Sequence, residues 1–372
     1  MTYRRMPIEI ESPEEMGYDT IRYNLAESSV RDHSLGELNV DLNHIVLAYG
    51  EHRGITPLRQ LIADESPNTS PEDVLITTGS AMSLFIIATT LLSKDDHIVV
   101  IRPNYATNIE TPRAIGCEMS LLDLDFDADF ALNTEGVRRA LKPNTKLISL
   151  TNPHNPTGKI FPAETIAAII ALAEAANCYL IIDETYRDLN FQTPLLPYSA
   201  NLSERVISVS SLSKAFGVPG IRIGWLICRD KNLMHTFLAA KEQMILGNAV
   251  LDEHIALHLL QQKAAFLQPL HAHIRHNFAL IKTWMQSQPF LEWVEPQAGV
   301  ICFPRLKAEF SLDFPNFQKA LYNEYQTVVG YGHWFEQSER YFRIGFGYPS
   351  TEDLTEGLRR FAHCLERFTA KI

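Results

Sequence analysis

Lys146-Leu147-Ile148-Ser149-Leu150 runs into Thr151-Asn152-Pro153-His154-Asn155-Pro156-Thr157-Gly158, then a helical stretch over 163–176, then Tyr179-Leu180-Ile181-Ile182-Asp183. Two short apolar runs on either side of a helix-length segment predict neighbouring strands of a parallel sheet, buried on both faces and joined by a crossover helix. The alternation continues outward in both directions. Residues 73–77 precede a helical stretch over 80–93 and the run 97–101, and 205–209 and 221–227 follow downstream. The fold class is therefore α/β, a mostly parallel sheet flanked by helices.

Past that region the pattern changes. Residues 232–262 and 270–286 read as long helices, and 299–303 and 341–346 as short strands, which predicts a smaller α+β domain. We divide the chain into an N-terminal segment, 1–44, packing with the small domain; a large domain, 45–260; and a small C-terminal domain, 261–372.

The chain has 372 residues, 46% hydrophobic and 21% charged, an ordinary globular composition. Its 33 basic and 44 acidic residues leave a net charge of -11, so neither nucleic acid nor an anionic membrane surface is an expected partner. No run approaches the roughly 18 apolar residues of a membrane span. No secretory leader is visible, so the expected location is cytoplasmic. Cys117, Cys178, Cys228, Cys302 and Cys364 are too widely spaced for a zinc site and read as reduced packing residues. His254 and His258, and the cluster His271, His273 and His276, read as solvated helix faces.

In a parallel α/β sheet, ligands bind beyond the carboxyl ends of the strands. After 73–77 comes Thr78-Gly79-Ser80-Ala81, small residues opening a helix, which suits either a phosphate or a simple N-cap. After 146–150 comes a proline-stiffened loop that can hold the Asn155 amide toward a ligand or form a plain turn. Asp183, ending an apolar strand with Tyr186 close behind, is either a helix cap or a desolvated carboxylate in need of a cation. Ser211-Leu212-Ser213-Lys214, with Arg222 downstream, offers an amine and a guanidinium at a fourth strand end; a lone lysine there would be a surface residue. Together these are the groups that pyridoxal phosphate (PLP) needs: a phosphate cup, an acid for the ring nitrogen, donors for the ring oxygen and an amine for the aldehyde.

On the motifs Asn155-Pro156-Thr157-Gly158, Asp183-x-x-Tyr186 and Ser211-x-Ser213-Lys214 followed by Arg222, the chain resembles the fold type I PLP enzymes, and within them the class I/II aminotransferases. The resemblance implies the PLP-dependent transferase fold, with a seven-stranded-type sheet. It implies that Lys214 forms the internal aldimine, a Schiff base, and shuttles the proton from Cα. Asp183 would pair with the pyridinium, and Asn155 and Tyr186 would bond the ring oxygen. Backbone groups of Ser80 and Ala81, with Ser211 and Arg222, would hold the phosphate. Tyr105, in Pro103-Asn104-Tyr105, would stack on the ring. Tyr49 resembles a tyrosine sent across a homodimer interface to the partner's phosphate, and would serve equally as a core tyrosine. Arg343 resembles the clamp on the substrate α-carboxylate, with Asn155 beside it, and otherwise reads as an edge-strand arginine.

The implied activity is amino acid aminotransfer to a 2-oxo acid by a ping-pong mechanism. A PLP-dependent lyase, decarboxylase or cyclase would use the same residues, and a non-catalytic PLP sensor is a further alternative. Lys214, as the base at Cα, is expected to be neutral, favoured by burial and nearby cations. The stretch 23–29 lacks the glycine-and-proline loop usual over the substrate, and there Glu27 is either solvated or faces a basic substrate side chain. The neutral 244–249 region argues against an aspartate-specific enzyme.

Overall fold

The computed structural model describes residues 1–192 and 195–372. Near the N-terminus lie two short helices, α1 (Pro7–Glu11) and α2 (Pro13–Met16), then strand β1 (Tyr23–Leu25). Helix α3 (Thr56–Ala63) leads to β2 (Val74–Thr78) and α4 (Gly79–Leu91). Strands β3 (His97–Arg102), β4 (Glu118–Asp123), β5 (Thr145–Thr151), β6 (Tyr179–Asp183), β7 (Val206–Ser211) and β8 (Ile223–Cys228) complete one seven-stranded sheet in the order β2-β8-β7-β6-β5-β3-β4.

Strands β4, β3, β5, β6 and β7 are mutually parallel, whereas β8 runs antiparallel to both β7 and β2. The interior strands β6, β7 and β8 are buried almost throughout because helices cover both faces. The α/β expectation is met. The six runs read from sequence each form a strand, with ends shifted by one or two residues.

The seventh strand, β4, went unread. It lies at the sheet edge, is nowhere fully buried, and so carries no continuous apolar run. A single helix over 232–262 is also corrected. The chain breaks at Ile245 and resumes as Val250–Gln261, with Gly247-Asn248 at the interruption. The next helix begins at Lys263, earlier than expected, and accommodates Pro269.

A separate four-stranded sheet forms from β1, Thr327–Tyr331, Phe342–Gly345 and Ile301–Cys302. β1 pairs in parallel with the second of these (Leu25↔Val329), which ties the N-terminal stretch to residues some three hundred positions downstream. Close approach depends on Gly345, where a Cβ would sit 1.9 Å from the Glu27 carbonyl oxygen. All five cysteines are free and buried, as packing residues. The histidine faces are not merely solvated. His254, His258, His271 and His273 each reach a backbone carbonyl, of Val250, Leu38, Asp188 and Pro349. No helix among the described residues is long and apolar enough to cross a membrane.

Candidate active site

Five strand ends open onto one cavity of about 360 Å³. The parallel strands β5, β6 and β7 present Thr151, Asp183 and Ser211 at their carboxyl ends, and the segment after β3 brings Tyr105. β8 enters the sheet from that same edge because it runs the other way, so Arg222, just before it, joins them. The walls include Ser80, Ala81, Tyr105, Asn155, Asp183, Tyr186, Ser211, Lys214, Arg222 and Arg343. Ten of the eleven residues singled out from sequence therefore meet in one place. Tyr49 lies elsewhere, 90% exposed, which removes its reading as a core tyrosine.

The phosphate end is a helix N-terminus with a guanidinium against it. Gly79 opens α4 at φ 72°, and a Cβ there would meet Arg222 Nη2 at 2.4 Å, so glycine is needed both for the turn and for the arginine's seat. Arg222 Nη1 donates to the Pro219 carbonyl at 2.8 Å. The Ser211 hydroxyl is buried with no partner among the described residues, a polar atom waiting for an acceptor. Free N–H groups at the helix start, an arginine and an unused hydroxyl fit a phosphate.

At the opposite end Asp183 is buried, and its Oδ1 accepts from Thr185 N at 3.1 Å and Thr185 Oγ1 at 2.6 Å. Burial raises its pKa, and these two bonds oppose that rise only in part. Such a carboxylate is stabilised by a cation delivered to it, as a protonated ring nitrogen would be. Arg343 is buried too. Its Nη2 donates to Ala26 O at 2.8 Å and its Nη1 to Asn155 Oδ1 at 3.4 Å, while Nε has no partner among the described residues. An incoming carboxylate is the group that completes this fork.

Lys214 lines the cavity between these ends, its main-chain oxygen accepting from Val30 N at 3.1 Å. Its protonation departs from expectation. Burial lowers its pKa, but Tyr186 and Glu27 raise it by more, and the net direction is upward despite Arg343. The ammonium form is favoured, because Tyr186 and the Glu27 carboxylate together outweigh the desolvation.

Sequence reading missed the supports. Asn104 Oδ1 accepts from Tyr105 N at 2.7 Å, Asn108 Nδ2 at 2.9 Å and Thr151 Oγ1 at 3.2 Å, which fixes the turn that carries Tyr105. His154 braces the Asn155 loop: Nε2 meets Pro103 O at 2.9 Å and Nδ1 meets Thr157 Oγ1 at 2.8 Å. A carbonyl only accepts, so Nε2 carries the proton and the threonine donates to Nδ1. The N-terminal helices also escaped notice. Ile8, Glu9, Ser12, Pro13 and Glu14 form a wall of the cavity with Glu27 and Ser28. Nothing in the local pattern of 7–16 ties it to strand ends so distant in sequence.

A prediction follows from His154. Burial pushes its pKa down to about 4, below the 6.5 of a free histidine. The folded state binds fewer protons than the unfolded one between those values, so stability is intact above pH 6.5 and falls as the pH drops toward 4. Between pH 7 and 5 this single group should cost about 2 kcal/mol. Urea midpoints of the protein and of His154→Asn at the two pH values measure it: the variant should lose less on acidification, and equal losses would refute the assignment.

The family model for aminotransferase class I and II matches residues 27–361. The chain belongs to this family. Its cofactor is accordingly pyridoxal 5'-phosphate, which the cavity's phosphate seat, buried acid and central amine fit. Capreomycidine synthase of Streptomyces vinaceus is 26% identical over 351 residues, covering 92% of this chain and 89% of its own. The arginine–pyruvate transaminase of Pseudomonas aeruginosa is 26% identical over 324 residues, covering 85% and 82%. In fold, a PLP-dependent aminotransferase from Streptococcus suis superposes with TM-score 0.91 at 23% identity over 100% of both chains.

Proposed function

We propose that this class I/II family member is an amino acid aminotransferase, moving an amino group from an amino acid to a 2-oxo acid. The observation that carries the reading is one cavity lined by Lys214, a buried Asp183 and an incompletely bonded Arg343. These supply an amine, an anion and a carboxylate clamp around one small molecule.

When bound, PLP supplies an electrophilic carbon and a protonated ring that draws electrons away as the Cα–H bond breaks. Asp183 holds the proton on the ring nitrogen. Asn155, its Oδ1 turned to Arg343, has its amide N–H groups left over and would, with Tyr186, bond the ring oxygen, while Tyr105 would stack on the ring. Ser80 and Ala81 main-chain N–H groups, Ser211 and Arg222 hold the phosphate. Arg343 takes the substrate α-carboxylate and thereby sets which Cα bond is presented. Lys214, once it has lost its proton, would be the group placed to take the Cα hydrogen and carry it to the neighbouring carbon. Loss of that proton follows charge neutralisation as substrate and cofactor engage the groups around it.

A second reading, a ring-closing or bond-cleaving PLP reaction, draws support from the match to a capreomycidine synthase across nearly the whole chain. Acceptor dependence separates the two. An aminotransferase given only an amino acid releases one 2-oxo acid per active site and stops until a 2-oxo acid acceptor is added. Sustained turnover with no acceptor would refute aminotransfer.

The same proposal includes a homodimer. Val46, Leu47 and Tyr49 are 78%, 75% and 90% exposed, and beside them Leu246 and Leu251 line a hollow of about 810 Å³. An apolar surface of this kind suits a second copy, and Tyr49 would then reach the partner's phosphate seat. Sedimentation should give a dimer, and Tyr49→Phe should weaken cofactor retention; a fully active monomer would contradict this. On the same footing, divisions near 44 and 260 separate the strand that joins the C-terminal sheet, the seven-stranded layer and the remainder.

A further inference from the structure

We infer that the amino donor carries a positively charged side chain, an ammonium or guanidinium, which Glu27 receives against the wall built by the N-terminal helices. This rests on the proposed function and names the substrate class of that same site.

Glu27 lines the cavity and is 9% exposed. Its Oε1 accepts from the Tyr18 hydroxyl at 2.9 Å, and its Oε2 has only Ser29 Oγ at 3.5 Å, beyond an ordinary O–H···O bond. Among the described residues Glu27 is in no ion pair. A neutral phenol orients a carboxylate without balancing its charge, which leaves Lys214 and Arg343, on the same cavity, as its counter-charges. Burial and the Glu27 charge both push the Tyr18 pKa upward, so the phenol stays a donor and Glu27 the acceptor.

The cations of the cavity are Lys214, Arg222 and Arg343. With cofactor and substrate in place, each is committed. Arg222 faces the phosphate, Arg343 the α-carboxylate, and Lys214 is bonded to the cofactor or acts as a neutral base. Of the anions, Asp183 answers the ring nitrogen. Glu27 remains, with Glu14 and Glu9 on the adjoining wall. Glu9 Oε2 is bound to Met6 N at 2.7 Å, whereas Glu14 makes no side-chain hydrogen bond or ion pair among the described residues.

One observation independent of the acidic wall shows what the ligand's other end carries. Arg343 Nε is buried without a partner, which calls for a carboxylate. The Glu27 charge holds the Lys214 pKa up within the cavity that both residues line, and that interaction is lost when Lys214 is committed. A side-chain cation restores it.

The test uses holoenzyme and isosteric pairs, arginine against citrulline and lysine against norleucine. Dissociation constants come from the change in cofactor absorbance, and kcat/KM from oxo acid release. The cationic member should be preferred at least about 30-fold, and Glu27→Gln should lower that ratio at least about tenfold. Should E27Q fail to load cofactor, Y18F carries the same test, with the ratio lowered at least about threefold. Neutral members binding as well as cationic ones, or a ratio unmoved in the variant, would overturn the inference and leave the amino acid reading standing. No response to any amino acid would refute the amino acid reading itself.

Discussion

Lys214→Ala should lower turnover by roughly 10⁴-fold or more, because it removes both the covalent anchor of the cofactor and the proton carrier at Cα. Loss of fold is not the expected cause. The Lys214 side chain makes no hydrogen bond among the described residues, and the contact it gives the N-terminal stretch comes from its main-chain oxygen, which alanine keeps. Far-ultraviolet circular dichroism and the urea midpoint should therefore be unchanged. Added methylamine or ethylamine, small enough for the vacated space, should restore part of the rate, with a dependence on pH that follows the added amine. A variant that retained more than about a hundredth of wild-type turnover would place the proton transfer on another group.

Asp183→Asn should be nearly as damaging, with turnover down roughly 10²–10³-fold at almost unchanged volume. The buried carboxylate accepts two bonds from Thr185 on Oδ1, and burial still holds its pKa above the ordinary range, so it gains by facing a cation. Asparagine keeps the shape and surrenders the charge. Asparagine could not hold a proton on the ring nitrogen, so the electron demand at Cα would go unmet. The cofactor should still bind, held by the phosphate seat at α4 and Arg222, but with a shifted absorbance maximum. Thr185→Val should show the same shift in weaker form, since it removes one of the two bonds that orient the carboxylate. Asp183→Asn turning over at wild-type rate, with an unshifted spectrum, would remove Asp183 from the chemistry.

The sheet was legible because its interior strands are buried on both faces, and continuous apolar runs such as Tyr179–Asp183 cannot be mistaken for surface. β4 was not, since an edge strand with one open side mixes Glu118 and Asp123 with its leucines. The reactive groups were legible for a related reason: Asp183, Lys214 and Arg222 stand at strand ends, where the α/β topology brings ligands. What escaped depends on distant partners. The wall made by Ile8 to Glu14, the brace of His154 on Pro103 O, and the close approach of Glu27 to Gly345 each join segments that sequence order keeps apart. The surroundings of Lys214 were only partly legible for the same reason. The motif shows the cations, whereas Glu27, which raises the Lys214 pKa together with Tyr186, lies far off in sequence.

The most direct measurement is borohydride reduction of the purified, PLP-loaded protein followed by peptide mass mapping. The label should fall on Lys214 alone, with one phosphopyridoxyl group per chain. The instructive competitor is Lys241, a buried amine whose pKa burial pushes down to about 8, and which instead donates to His52 O at 2.6 Å, outside the cavity. A label on Lys241 or any other lysine, or no label on a protein that has kept its colour, would contradict the account.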